Sequence, residues 1–202
     1  MIAWPFFAVV GLLSLPIIRV LYGTQWDVSA PVAQVLCLMG SVAVLATFAG
    51  DVMIAHGKVG QATASQLLTQ PVRVGAVLAA SPFGLTAIAW ALVLVECYTV
   101  AVTSRRLRAV TEVAFTDVMR AAWKSFLVTL ASSIAPAIMM LSFDAGRHAW
   151  LEVVLGGAGA LIGWLIAILW TGHPAKDHLY QARDWAVLRI RGRPPGPLKP
   201  PQ

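Results

Sequence analysis

The sequence predicts an all-α fold, a polytopic transmembrane bundle of about six helices. Hydrophobic residues make up 58% of the chain and charged residues only 12%, whereas roughly a quarter of a soluble domain is charged. The mean hydropathy is +0.76. Apolar runs close to the ~20 residues that cross a bilayer recur along the whole chain. We therefore expect lipid, rather than water, to surround most of these side chains.

Six segments are predicted to cross the membrane: residues 2–21, 31–50, 61–80, 83–103, 125–142 and 149–171. The first lacks a basic leader and a small-residue cleavage motif, so it reads as a retained helix. Its abrupt apolar start leads us to expect that the chain is the later part of a longer protein. In the last, Gly156, Gly157, Gly159 and Gly163 would let another helix approach closely, unless they reflect only the glycine content of membrane helices.

The third segment is the most polar of the six. Its polar residues and its proline are Gln61, Thr63, Ser65, Gln66, Thr69, Gln70, Pro71 and Arg73. Exposing them to lipid on all sides would be costly. If the segment spans, its polar face must line protein or water; a re-entrant or surface helix is the alternative.

Lysine and arginine residues beside the segments predict the orientation, because basic flanks stay in the cytoplasm. One side carries Lys58, Arg105, Arg106, Arg108, Arg120, Lys124, Lys176, Arg183, Arg189, Arg191, Arg193 and Lys199. The other side carries Arg147, while Arg19 and Arg73 lie within segments. Six crossings then place both the connection 104–124 and the C-terminus of this multi-pass protein in the cytoplasm.

The end of the chain is polar and basic. Residues 173–191 carry an apolar side interrupted by Arg183, which predicts a cytoplasmic interfacial helix against anionic lipid. Residues 192–202 contain five prolines, Pro194, Pro195, Pro197, Pro200 and Pro201, and are predicted to form a disordered tail.

Composition and motifs argue against several functional classes. Cys37 and Cys97 are far apart within apolar runs, so neither a disulfide framework nor a metal site is expected. The sequence has no nucleophile elbow, phosphate-binding glycine loop or metal-binding histidine spacing. We expect no enzyme and no cofactor. The net charge of +6 lies next to apolar segments, which favours membrane lipids over nucleic acid as partners.

Four ionisable residues inside or at the ends of segments are the candidate site residues, because charge at membrane depth usually faces a cavity or a partner. Arg73 would bind a phosphate or pyrophosphate bidentately, unless it snorkels or forms a structural ion pair. Arg19 is a second candidate for substrate binding, with an interfacial anchor as the alternative. Glu96 would couple an ion or act as counter-ion to Arg73, and Asp51 shares that role unless it is a solvated helix end.

Three short stretches resemble one family. The first stretch runs from Trp-Pro-Phe-Phe at residues 4–7 through Leu-Pro-Ile-Ile-Arg-Val-Leu-Tyr-Gly-Thr-Gln-Trp-Asp at residues 15–27. Residues 55–58 read Ala-His-Gly-Lys, and residues 82–89 read Pro-Phe-Gly-Leu-Thr-Ala-Ile-Ala. In this order they are similar to the polysaccharide biosynthesis flippases, Wzx-like lipid-linked oligosaccharide translocases of the multidrug/oligosaccharidyl-lipid/polysaccharide exporter superfamily. The matching stretches, with the helices between them, extend over about residues 4 to 142.

The resemblance implies most of the C-terminal lobe of a fourteen-helix flippase. Such a protein moves undecaprenyl-pyrophosphate-linked oligosaccharide across the inner membrane by alternating access, for polysaccharide or lipopolysaccharide synthesis. The N-terminal lobe of the family is missing here, so the expected partners are the lipid-linked oligosaccharide and either that lobe or a second chain. The alternatives are a truncated or noncatalytic scaffold fragment and a membrane enzyme of the same pathway, such as a polymerase or acyltransferase.

Overall fold

The fold is all-α, as predicted. The computed structural model describes residues 3–111, 115–142 and 149–170, and within these ranges it contains helices and short turns without a strand. Seven α-helices occur there: α1 Ala3–Leu12, α2 Ser14–Tyr22, α3 Ala30–Ala55, α4 Val59–Ala80, α5 Leu85–Thr111, α6 Phe115–Ser142 and α7 Ala149–Trp170. Two 3₁₀ segments, Thr24–Ser29 and Ser81–Phe83, precede α3 and α5. The predicted tail segments 173–191 and 192–202, and Arg147, lie outside the described residues.

The prediction of one continuous helix over residues 2–21 is wrong. The chain bends by 70° between α1 and α2. Pro16 explains the break, because its ring would collide with the carbonyl of Leu12 and its nitrogen cannot donate to that carbonyl. Proline is tolerated in the first turn of a helix, where backbone N–H groups have no intrahelical partner. Pro16 therefore ends α1 and fits into the start of α2, where it is fully buried.

Much of the predicted connection over residues 104–124 is helical. Helix α5 continues past the predicted membrane boundary to Thr111, and α6 begins at Phe115. Neither glycine nor proline occurs in residues 104–124, so nothing in the local sequence stops a helix where the hydrophobic run ends. The basic residues Arg105, Arg106 and Arg108 are thus carried on the last turns of α5.

Fewer helices qualify as spans by length and composition than the six predicted. Within the described ranges, three helical stretches qualify, Thr24–Ala55, Leu85–Ala109 and Ala149–Ala167, and the bent pair α1 and α2 would make a fourth. Helix α4 does not qualify, because its polar residues lower its hydropathy. The apolar part of α6, Ser125–Met140, is shorter than a full span.

The direction of packing nevertheless requires α4 to cross the same layer. Near one end, Val35 of α3 clusters with Ala89 and Val93 of α5. Near the other, the α3 residues Ala49 and Met53 cluster with Leu107 of α5 and with Ala62 of α4. Helices α3 and α5 are therefore parallel. Since both qualify as membrane spans, the chain can pass from one to the other only by returning across that thickness along α4.

Helix α4 is long enough for this crossing. Its 22 residues extend about 33 Å at 1.5 Å per residue, and the hydrocarbon core of a bilayer is about 30 Å thick. Length therefore does not exclude α4 as a span, and its polar side chains are what must be accommodated.

Small residues bring α6 and α7 together. A Cβ atom on Gly159 would lie 2.6 Å from the Cβ of Ala135, and one on Gly163 would lie 2.9 Å from the Ala131 carbonyl oxygen. The two helices are therefore in contact at these glycines, the close approach that the glycine spacing predicted. Gly157 differs, because a Cβ there would meet open space.

Helix α1 joins this pair to the α3, α4 and α5 group. It contacts both α3 and α6, and the Trp4 indole donates a hydrogen bond to the Ser41 carbonyl oxygen at 2.9 Å. The Phe7 ring occupies the space in which a Cβ on Gly40 would lie. Helix α2 then turns away to pack on α7.

Candidate functional site

Arg73 of α4 and Glu96 of α5 form an ion pair between the two helices. An Arg73 Nη2 atom donates to Glu96 Oε1. The two partners differ in exposure, since 38% of the Arg73 side chain is accessible but only 7% of the Glu96 side chain. Burying a carboxylate is costly unless it is paired, and Arg73 provides the charge that Glu96 needs. The remaining guanidinium surface faces outward.

The pair lies deep along both helices. Glu96 comes eleven residues after Leu85, the first residue of α5, which places it about 17 Å along the helix at 1.5 Å per residue. That distance is roughly half of a 30 Å hydrocarbon core. An ionisable pair at this depth is a functional-site hypothesis by default.

Buried hydroxyl groups accompany the pair on α4 and α5, and we call them the polar seam. On α4, Ser65 and Thr69 are each 3% exposed, and on α5, Thr99 and Thr103 are 5% and 4% exposed. The hydroxyl of Thr69 donates to the Ser65 carbonyl oxygen at 3.1 Å, and that of Thr99 donates to the Val95 carbonyl oxygen at 2.8 Å. These hydroxyls are satisfied within their own helices, so the seam packs without a demand for water.

A second polar surface lies beside this seam on α4. Thr63, Gln66 and Gln70 are spaced three and four residues apart, which places them along one side of a helix. All three are exposed, and we call them the polar strip. It leads along α4 toward Arg73, whose guanidinium is partly exposed. The third predicted segment is thus polar on its packed side and also on part of its free side.

Arg19 lies in a different, more acidic environment. Its Nε donates to Asp27 Oδ1 at 2.9 Å and its Nη2 to Asp27 Oδ2 at 2.7 Å, a bidentate pair. The negative charge of Glu152, at the start of α7, also acts on Arg19. One cation with two carboxylates carries net negative charge, which disfavours an anionic substrate. The geometry fits the anchor alternative for Arg19, since it ties α2, the 3₁₀ segment and α7 together.

Glu152 was absent from the residues that the sequence singled out. It is 3% exposed and stands in the first turn of α7, where an acidic residue is favoured by the helix dipole. As the fourth residue of the predicted span 149–171, it resembled an ordinary solvated helix end. The burial comes from α2 packing on α7, which the local sequence does not reveal.

Asp51, the remaining candidate, is exposed near the C-terminal end of α3. Among the described residues, none forms a hydrogen bond or an ion pair with the Asp51 side chain. The structure thus brings together Arg73 and Glu96, and leaves both Arg19 and Asp51 away from that pair. Whether any of the four acts on a substrate stays a prediction.

Two apolar grooves lie on the bundle, and the second is next to the ion pair. One of about 350 Å³ runs between α1, α6 and α7 past Phe6, Gly157 and Trp164. Another of about 530 Å³ lies beside Val72, Leu94 and Tyr98. Neither is lined by an ionisable side chain of the Arg73 site. Within the described ranges, no group of three or more histidine, cysteine, aspartate or glutamate residues could hold a metal ion.

The glycines in the three family-like motifs have a local physical reason. Gly23 and Gly84 adopt φ 85° with ψ 174° and φ 90° with ψ 177°, a region that is essentially open only to glycine. Gly57 adopts φ 73° and ends α3 in a Schellman motif, in which Lys58 N–H donates to the Met53 carbonyl oxygen at 2.9 Å. Any chain that turns in these ways requires glycine, so the motif glycines report turn geometry as well as resemblance.

Comparisons of the chain with protein-family models, with curated proteins and with solved structures found no match.

Proposed function

We propose that this chain is the membrane-embedded part of a transporter that moves an amphiphilic anion across a bilayer, with Arg73 meeting the anionic headgroup. The observation that carries the proposal is the half-exposed guanidinium at mid-membrane depth, held by the buried carboxylate of Glu96 and next to the polar strip. The lipid tail of such a substrate would stay in the bilayer, and no covalent step is required.

The guanidinium suits a phosphate or pyrophosphate because its planar donors match two phosphate oxygens at once. Glu96 would hold the Arg73 side chain in place while no substrate is bound. When an anion binds, the guanidinium would donate hydrogen bonds both to Glu96 and to the anion. A proton taken up by Glu96 would release Arg73 to the anion, which is one way to couple transport to an ion. Helix α7, packed on α6 through glycines, offers a surface along which helices can slide during alternating access.

The resemblance narrows the proposed substrate to an undecaprenyl-pyrophosphate-linked oligosaccharide, and the setting to a bacterial inner membrane with the C-terminus in the cytoplasm. Support for the orientation comes from the basic end of α5 and from the crossing of α4. Under this proposal the chain acts with a further lobe or a second chain, because the described helices on their own leave the polar strip of α4 exposed.

The test is translocation of a fluorescent polyprenyl-pyrophosphate saccharide in proteoliposomes that contain the full chain, read by an external quencher that does not cross the membrane. The wild type should expose inner-leaflet label to the quencher faster than empty vesicles do. Arg73→Gln should slow translocation about tenfold or more, because a charge-assisted hydrogen bond contributes about 1.5–3 kcal/mol. Arg105→Gln, which removes an exposed charge near the end of α5, should leave the rate unchanged.

Arg73→Lys and the double variant Arg73→Gln/Glu96→Gln complete the design. Lysine keeps the charge but loses the bidentate geometry, so it should give an intermediate rate. The double variant has no unpaired buried carboxylate, so the chain should still insert into the membrane. Its translocation rate should nevertheless remain low. Wild-type vesicles that translocate no faster than empty ones, or a wild-type rate in Arg73→Gln, would refute the proposal.

A noncatalytic membrane scaffold is the second candidate, and the ion pair itself favours it. Because Glu96 already neutralises Arg73, the pair is also what a purely structural contact between α4 and α5 would look like. If the chain is such a scaffold, the double variant should match the wild type both in membrane insertion and in the translocation assay.

A further inference from the structure

The polar strip on α4 has a consequence for assembly. Thr63, Gln66 and Gln70 are exposed, while the opposite side of the helix presents Leu68 and Val72, which are 47% and 41% exposed. These two apolar side chains suit lipid. Two carboxamides and a hydroxyl in the same layer do not, because hydrocarbon offers them no hydrogen-bond partner.

The chemistry of the strip selects its partner. Each glutamine carboxamide carries both a donor and an acceptor, and the strip contains no charged group. A charged partner surface would therefore be left without a counter-ion there. Another copy of the same strip supplies a matching acceptor for every donor when two copies meet across a two-fold axis, the commonest symmetry of oligomers. Polar side chains of this kind join helices within membranes.

We infer that two copies of this chain associate by packing α4 against α4 along Thr63, Gln66 and Gln70. Both copies must have the same orientation in the membrane, so their α4 helices run parallel and the paired residues lie at equal depth. The two Arg73 guanidiniums then also lie at the same depth. If the proposed function holds, they bind the two phosphates of one pyrophosphate from opposite sides, so the second copy completes the substrate site.

Disulfide cross-linking in membranes tests this pairing. Cys37 and Cys97 are first replaced by alanine, and single cysteines are then introduced as Gln66→Cys or Gln70→Cys in the full chain. Under mild oxidation each should give a band at twice the chain mass that a reductant removes. Leu68→Cys is the matched control, since Leu68 lies two residues from Gln66 and from Gln70 on the same helix but on the side opposite the strip. It should give no such band.

Three results would overturn the pairing. Strip cysteines that stay monomeric and react with a membrane-impermeant maleimide would show that the strip lines a water path within one copy. A cross-linked band at another mass would identify a different protein as the partner. Equal cross-linking of Leu68→Cys would show collision without a defined interface.

A subunit-mixing experiment tests the shared site and separates this inference from the proposed function. If both Arg73 residues are needed, co-reconstitution of equal amounts of wild type and Arg73→Gln should leave about a quarter of the wild-type translocation rate, the fraction of two-fold pairs with two wild-type copies. A rate near one half would reject the shared site. Cross-linking without any wild-type translocation would reject the proposed function but support the dimer. Translocation without cross-linking would support the proposed function but reject the dimer.

Discussion

Removing the charge of Arg73 should destabilise the chain far more than removing that of Glu96. In Arg73→Gln the carboxylate stays behind at a position that is 5% exposed, and an unpaired buried charge costs about 3–5 kcal/mol. In Glu96→Gln the remaining Arg73 side chain is 38% exposed, and its guanidinium can turn outward on the flexible stem. The cost there should be only about 1 kcal/mol.

The double variant Arg73→Gln/Glu96→Gln discriminates between a charge effect and a packing effect. It leaves two carboxamides that can hydrogen-bond to each other, so its free energy of unfolding should lie within about 1 kcal/mol of the wild type. The single effects should therefore be strongly non-additive, with a coupling energy of about 3–6 kcal/mol.

The measurement is equilibrium unfolding of the purified chain in mixed micelles, followed by helical circular dichroism as the denaturing detergent fraction rises. Each variant is compared with Arg105→Gln, in which an exposed charge is lost without a buried partner. Equal losses for the two single variants would refute the reasoning from burial. Additive single effects in the double variant would show that the two side chains do not stabilise each other.

Two further substitutions test the rest of the bundle. Gly163→Ala should lower the free energy of unfolding by about 1–3 kcal/mol, because its Cβ would meet the α6 backbone; Gly157→Ala, which faces open space, should raise it by up to about 1 kcal/mol. Equal effects of the two alanines in thermal unfolding would contradict the assigned close approach. Arg19→Gln should lower the unfolding temperature, since it releases Asp27, yet leave translocation per folded molecule unchanged; a selective loss of translocation would instead restore Arg19 to the substrate site.

Hydrophobic runs located the described membrane helices well but did not locate their ends. The predicted span 31–50 lies inside helix Ala30–Ala55, and the span 83–103 ends eight residues before Thr111. Hydropathy reports where lipid begins, whereas a helix continues until a residue such as Gly57 stops it. The bend at Pro16 was missed for the complementary reason, because an apolar run that contains a proline still reads as one span.

The ion pair could be anticipated from the sequence in part. Arg73 and Glu96 stood out as charges within apolar surroundings, and their pairing was one of the alternatives considered. The sequence left open which alternative holds, because the pairing depends on α4 lying antiparallel to α5. Glu152 could not be anticipated, since its burial follows from contacts between α2 and α7, which are more than a hundred residues apart in the chain.

The polarity of α4 made it the weakest candidate span, and the packing explains how such a helix can still cross. Ser65 and Thr69 return their hydroxyls to carbonyl oxygens of their own helix, at 3.0 Å to Gln61 and 3.1 Å to Ser65. Arg73 is compensated by Glu96. The exposed side chains of the polar strip are therefore the ones in the middle of α4 that still need hydrogen-bond partners. A helix selected only to span would place leucine at those three positions, so we take them to be the surface through which α4 meets whatever completes the site.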